Sequence, residues 1–336
     1  MRLLTIKYKL VCLAVACCAI FTACEQADLA TKSPMTFKNA QANPEAFLDS
    51  AANARLFAMT NNEFVYGAAE KGAYAQLSNF DFTENDHSAT FKVKGDTKYW
   101  TTGTYNFFSA YSTRFNNTLD ADNEPKFDVA NSKFTFPYDI TNQNEELWVA
   151  YLLNEESHIS TNETVNLEFN PALAKINFVI KKHSANENDV IVVNSLSVSN
   201  IYTSGQYNLN VANGTTTWTP GTSTHTFVYG DDENETIGPI ARGDGTRVVN
   251  NAKDGWLVIP QTLTTNIVLT INYIFKDETE PRTISAKLPT TIPAWQPGQR
   301  YVYNLILAPI SNDILFTTPD VDNWRKSQTG GSIIIQ

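Results

Sequence analysis

Cysteine is missing from all but the opening of this 336-residue chain: Cys12, Cys17, Cys18 and Cys24 are its four, and none follows. Everything downstream therefore lacks disulfides, thiolate metal ligands and thiol nucleophiles. Histidine is equally scarce, with His87, His158, His183 and His225 scattered and no pair at metal-ligand spacing. His-Glu-x-x-His, the Walker loop, Gly-x-Ser-x-Gly and the dinucleotide fingerprint are also absent. The expectation is a non-enzyme with no catalytic residue, no metal and no cofactor. Asp120-Ala121-Asp122-Asn123-Glu124 lacks the Gly and terminal Glu of a calcium loop, and Asp231-Asp232-Glu233-Asn234-Glu235 reads as a solvated loop. Basic charge is short as well, 25 Lys and Arg against 35 Asp and Glu, for a formal net charge of −10. Such a surface repels nucleic acid and anionic headgroups, so neither is an expected partner. With 15 Gly, 14 Pro, 42% hydrophobic and 18% charged residues, the chain is neither collagen-like, disordered nor a multi-span membrane protein.

What is present begins at the N-terminus. Arg2, Lys7 and Lys9 precede an apolar run from Leu10 to Ile20, which is too short to span a bilayer and reads as a secretory signal over residues 1–23. Phe21-Thr22-Ala23-Cys24 resembles a bacterial lipobox, which makes Cys24 the expected lipidation site; an ordinary signal peptide is the alternative. Cleavage before Cys24 leaves 313 residues and removes three basic and no acidic groups, so the formal charge becomes −13. Glu25-Gln26-Ala27-Asp28 resembles the short acidic tag that sends lipoproteins to the outer face of the outer membrane, and it is equally a generic polar tether.

At about 150 residues per domain the length suggests two domains. From Phe64 onward short runs of β-branched and aromatic residues follow one another: Phe80-Asp81-Phe82, Thr90 to Val93, Tyr105 to Tyr111, Phe134-Thr135-Phe136 and Leu147-Trp148-Val149. The second half alternates better, as in Ala174, Ile176, Phe178 and Ile180, and continues through Val190 to Val198, Tyr207 to Val211, Trp256 to Ile259, Ile267 to Phe275, Ile284 to Leu288 and Tyr301 to Leu307. Asn213-Gly214, Pro220-Gly221, Asp254-Gly255 and Pro297-Gly298 supply turns. Strands at this spacing without helices argue for antiparallel β-sandwiches. A short helix is expected only within residues 40–60, from Pro44 to Asp49 and Ala51 to Met59. The polar stretch from Ser157 to Glu163 marks the expected boundary, giving a tether or removable strand over 24–55, a first sandwich over 56–160 and a second over 161–336.

Several fragments then coincide with one family. Leu167-Glu168-Phe169-Asn170-Pro171-Ala172-Leu173-Ala174-Lys175-Ile176-Asn177-Phe178 resembles the central strand motif of the fimbrillin family, with Pro171 where members usually carry His. Trp100 with Tyr105 to Tyr111 is similar to the family's aromatic strand, and Glu146 to Ala150 to the strand that closes the first domain. Val258-Ile259-Pro260-Gln261, Trp295 to Leu305, Ile314 to Phe316 and Val321 to Trp324 keep order and spacing. The resemblance covers most of residues 90–324.

It implies an all-β chain of two tandem transthyretin-like (Greek-key) antiparallel β-sandwich domains, a structural subunit of surface fimbriae acting as stalk, anchor or tip in adhesion. Its implied partners are other fimbrial subunits, the outer membrane through the lipid, and host or bacterial surface glycans or proteins. In the family a trypsin-like protease removes an N-terminal segment and a strand from another subunit fills the groove. Met35-Thr36-Phe37 is then part of the removable segment. Arg55 and Leu56 flank a possible maturation cut, with a solvated surface arginine as the other reading and Lys32 as a second possible cut. Gly330-Gly331-Ser332-Ile333-Ile334-Ile335-Gln336 is a flexible hinge with a short β-branched strand, which is either a donor strand through Ile333, Ile334 and Ile335 or the last strand of its own sandwich. A different class, a surface-anchored glycan-binding β-sandwich lipoprotein, would show coplanar exposed aromatics in place of buried Trp100, Trp148 and Trp295. A secreted hydrolase would need a polar cleft, of which the sequence carries no sign.

Overall fold

The computed structural model describes residues 33–39, 54–60, 63–67, 75–83, 88–112, 126–128, 131–140, 143, 146–182, 190–229, 237–240, 247–249, 255–264, 266–308 and 313–323. Among the described residues there is no helix. The strands of the first part are β1 (Phe37–Asn39), β2 (Ala54–Thr60), β3 (Glu63–Tyr66), β4 (Ala75–Thr83), β5 (Ser88–Lys94), β6 (Thr104–Tyr111), β7 (Lys126–Asp128), β8 (Lys133–Asp139), β9 (Trp148–Glu156), β10 (Val165–Asn166) and β11 (Asn170–Pro171). They are followed by β12 (Ala174–Lys182), β13 (Ile191–Tyr202), β14 (Ser204–Asn210), β15 (Thr216–Pro220), β16 (Thr224–Tyr229), β17 (Ile237–Ile240) and β18 (Arg247–Val249). The last are β19 (Trp256–Val258), β20 (Val268–Phe275), β21 (Arg282–Lys287), β22 (Gln299–Ala308), β23 (Asp313–Phe316) and β24 (Asp320–Asn323).

A nine-stranded sheet runs β10-β1-β5-β4-β2-β6-β9-β11, with β3 also on β2. It wraps around an aromatic core that includes Phe37, Trp100, Tyr105, Phe107, Trp148 and Phe169. In the second part, β18-β12-β22-β23 with β19 and β24 faces β16-β13-β20-β21 with β17. Between those two sheets lie Ile176, Phe178, Leu196, Ile271, Trp295 and Tyr303. Among the described residues two pairings are parallel, β1 with β10 and, over eight residue pairs, β12 with β22. The second requires a crossover that spans most of the second half.

The helix expected over Ala51 to Met59 is a strand from Ala54 onward; residues 40–53 lie outside the described residues. The physical reason is that β2 is covered on both faces. Ala54, Leu56 and Ala58 enter the aromatic core, while Phe57 and Met59 enter another core on the opposite side. A strand buried on both faces reads as a continuous apolar run and loses its period-2 signature.

That other core joins the halves. Its roof is a four-stranded sheet, β15-β14-β8-β7, in which β8 from the first half pairs with β14 from the second over seven residues. Beneath it Phe108, Phe134, Phe136, Tyr207 and Leu209 pack together with Leu257 and Ile259. Polar bonds reinforce the joint. Gln143 Nε2 donates to Leu257 O at 3.2 Å while Leu257 N–H donates to Gln143 Oε1 at 2.6 Å. Lys175 Nζ pairs with Glu146 Oε1 at 2.9 Å. Beyond Glu163 the chain still adds β10 and β11 to the first sheet before it enters the second half at β12.

Candidate assembly site

The segment from Ser33 to Asn39 is a strand-shaped insert in the first sheet. Met35, Phe37 and Asn39 point inward, Thr36 and Lys38 outward, the alternation of a half-buried strand. Phe37, 1% exposed, meets Tyr66 and Phe107 edge to face at 5.9 and 5.8 Å. The backbone is held on both sides. Phe37, Lys38 and Asn39 pair antiparallel with Phe91, Thr90 and Ala89 of β5. On the other side, Val165 N–H donates to Thr36 O at 2.8 Å and Leu167 N–H to Lys38 O at 2.7 Å. Upstream, Met35 N–H reaches Lys98 O and Trp100 N–H reaches Ser33 O, both at 2.9 Å. Taking this insert away would leave two unpaired strand edges flanking an apolar slot, which is the geometry that accepts an added strand.

Arg55 and Leu56 lie within β2, central in the sheet. Arg55 pairs with Gln76 on one side and Ala110 on the other, and Leu56 with Ala75 and Ser109. Arg55 is 3% exposed, and its carbonyl accepts a bond from Ser109 Oγ at 3.0 Å. Arg55 is thus no solvated surface residue, and a protease reaches the following bond only while the start of β2 is out of the sheet. The connection from β1 to β2 carries neither Lys nor Arg over residues 40–53. Cys24, Lys32 and Ile333, Ile334 and Ile335 lie outside the described residues, as do both acidic clusters.

The edges near the C-terminus are partly capped. β23 and β24 lie end to end along the outer side of β22, on Leu305 to Ala308 and Gln299 to Val302. Arg300 is buried and forks onto Asp322 through Nε at 3.0 Å and through Nη2, which fixes β24 against β22. Trp295 turns at Pro297-Gly298, where Gly298 has φ 70°, and donates from Nε1 to Tyr303 Oη at 2.9 Å. Burial pushes the Tyr303 phenol above its usual value, partly offset by that bond. Trp100, Trp148 and Trp295 are all buried, so they form core and no exposed platform.

The fold and slot define a class: an all-β chain with a strand-shaped insert that completes a sheet. The sequence profile described as fimbrillin-like matches residues 40–324, and the chain belongs to that family. A fimbrial protein from Bacteroides vulgatus is similar in fold, with a TM-score of 0.57 at 14% identity, covering 87% of this chain and 99% of that one. A candidate cell-adhesion protein from Bacteroides uniformis gives 0.54 at 15% identity, with 88% and 99% covered. A similarly described protein from Parabacteroides distasonis gives 0.51 at 10% identity, with 88% and 97% covered. No curated protein matches the chain in sequence.

Proposed function

We propose that this fimbrillin-like chain is a structural, non-enzymatic subunit of adhesive surface fimbriae. It is exported as a lipoprotein acylated at Cys24, held at the outer membrane, and joined to other fimbrial subunits by strand exchange. The observation that carries the reading is the insert from Ser33 to Asn39, which is held by main-chain bonds on both edges while alternate side chains fill an apolar slot. A strand from another subunit restores both sets of contacts. In this reading Ile333, Ile334 and Ile335 supply such a strand to a neighbour. A cut between Arg55 and Leu56 would part β1 from β2 and leave Leu56 to Thr60 available to the sheet, and it acts before β2 is seated.

The alternative glycan-binding lipoprotein built on an exposed tryptophan platform loses support from the burial of Trp100, Trp148 and Trp295. The adhesive partner in our reading is a surface glycan or protein. To test exchange, a specific protease site is placed within residues 40–53 of the full chain, which is then cut and run on sodium dodecyl sulfate gels without boiling. Detergent-resistant ladders are expected after cutting and not before, and deleting Ser332 to Gln336 abolishes them. A cut chain that stays monomeric removes the mechanism. For the anchor, Cys24→Ala moves the chain from the outer-membrane fraction to the soluble one; unchanged fractionation rules lipidation out.

A further inference from the structure

β9 and the segment after it form a hairpin that is shut at both ends and open in the middle. At its base Val149 pairs with Asn170 and Trp148 with Pro171. At its top the turn is tied by His158, whose Nε2 meets Glu155 Oε1 at 2.7 Å and whose Nδ1 meets Glu163 O at 3.1 Å, with Trp100 packed on the ring at 4.7 Å. Between these ends β10 abandons β9 and pairs with β1. A bulge helps to part them. Phe107 faces Leu152 and Tyr105 faces Glu155, so Leu153 and Asn154 stand opposite Asn106 alone. Asn154 takes φ 57° and donates its N–H to Asn106 Oδ1 at 3.0 Å. A bulge of this kind bends its strand and re-aims the neighbouring side chains.

The result is a cleft of about 750 Å³, within the range of small-molecule sites. Tyr151, 41% exposed, lines it and supplies an aromatic ring. Lys38, Asn162 and Glu163 offer donors and acceptors, while Glu155 and His158 are engaged with each other as the frame. This lining selects by exclusion. A strand running through needs an open path at both ends, and neither end is open. Glu155, Glu163 and Glu168 outnumber Lys38, which disfavours an anion. Among the described residues no three carboxylate, imidazole or thiol groups converge as metal ligands. A compact neutral ligand with many hydroxyls and one apolar ring face satisfies every condition.

We propose that this cleft is a saccharide-binding site, with a sugar ring lying on Tyr151 and its hydroxyls taken by Lys38, Asn162 and Glu163. The proposal rests on the adhesive part of the reading above and is independent of strand exchange. Because Lys38 belongs to β1, the site is complete in the chain that keeps its own first strand, and the test uses that form. The uncut monomer is applied to an array of neutral and sialylated oligosaccharides, and retained glycans are titrated by calorimetry. Neutral glycans are expected to bind, with Tyr151→Ala and Glu163→Gln each weakening affinity at least tenfold at an unchanged thermal midpoint. No retained glycan, binding confined to sialylated glycans, or binding that survives both substitutions overturns the proposal. The gel assay for strand exchange is untouched by any of those results.

Discussion

If the shared sheet welds the two halves, a cavity made inside it must be felt in both. Phe134 is the place to make it. The side chain is fully buried and touches Phe127, Phe108 and Phe57 at 4.6, 4.8 and 5.5 Å between ring centroids. Its strand neighbours are Phe127 on β7 and Leu209 on β14, so the walls of the cavity are paired backbones that resist collapse. Phe134→Ala should therefore cost about 4 kcal/mol, in the middle of the range for deleting a buried phenylalanine. In native-state hydrogen exchange the slowest amides of β6, in the first half, should exchange roughly a thousandfold faster. The slowest amides of β20, which touches only the distal core, should accelerate by the same factor. Acceleration in β6 with β20 unmoved would show two independently opening units and refute the weld.

Two further substitutions probe single bonds. Gln143→Ala strips both partners from the Leu257 backbone, and the buried N–H should cost about 1–3 kcal/mol, seen as a lower urea midpoint at constant slope. An unmoved midpoint would mean that water replaces the amide. Tyr303 and Tyr207 are both pushed above the usual phenol value, first of all by burial. The folded chain therefore keeps these protons where the unfolded chain releases them. Their contribution is whole below the unfolded value near 10 and is lost as pH rises above it, by about 1.4 kcal/mol per pH unit for each group. Tyr303→Phe should flatten that alkaline slope by one group's share while lowering neutral stability by about 1–3 kcal/mol, because Trp295 Nε1–H loses its acceptor. An unchanged slope in denaturant titrations between pH 9 and pH 12 would contradict the assignment.

Strands with one dry and one wet face are plain in the sequence. Leu269, Ile271 and Tyr273 of β20 sit in one core, with the part-exposed Val268, Thr270, Asn272 and Ile274 alternating between them as expected. Where both faces are dry the alternation vanishes, which is why β2 resembles a helix on paper. The opposite failure hides β15, whose Thr216 to Pro220 has no buried position and only Trp218 to mark it. Pairing is harder still. Phe136 meets Tyr207 across about 70 residues, and nothing local to either strand distinguishes a shared sheet from two separate ones. The inward pattern of Met35 and Phe37 is readable from sequence, whereas the cleft is not, because it depends on a bulge at Asn154 and on β10 choosing β1 as its neighbour. The reading of Arg55 as a solvated surface residue fails for a simple reason: a charged residue suggests surface, and here a central strand carries it between two paired neighbours.

The weld also bears on how a strand could be exchanged without loosening the molecule. The buried apolar side chains of the insert, Met35 and Phe37, belong to the aromatic core alone, and neither takes part in the core beneath the shared sheet. β2 touches both, through Leu56 on one face and Phe57 on the other. Withdrawal of the insert thus exposes the slot while β2, β6 and β9 still carry the joint through Phe57, Phe108 and Val149. In the proposed assembly, a fibre that transmits force through its subunits needs that separation, since the exchanged strand would link molecules while the shared sheet links the halves of one. A cut that took β2 along with β1 would remove Phe57 and Met59 from the joint. The boundary between expendable and indispensable chain therefore falls between Asn39 and Leu56, and the shared core sets that limit as much as the slot does.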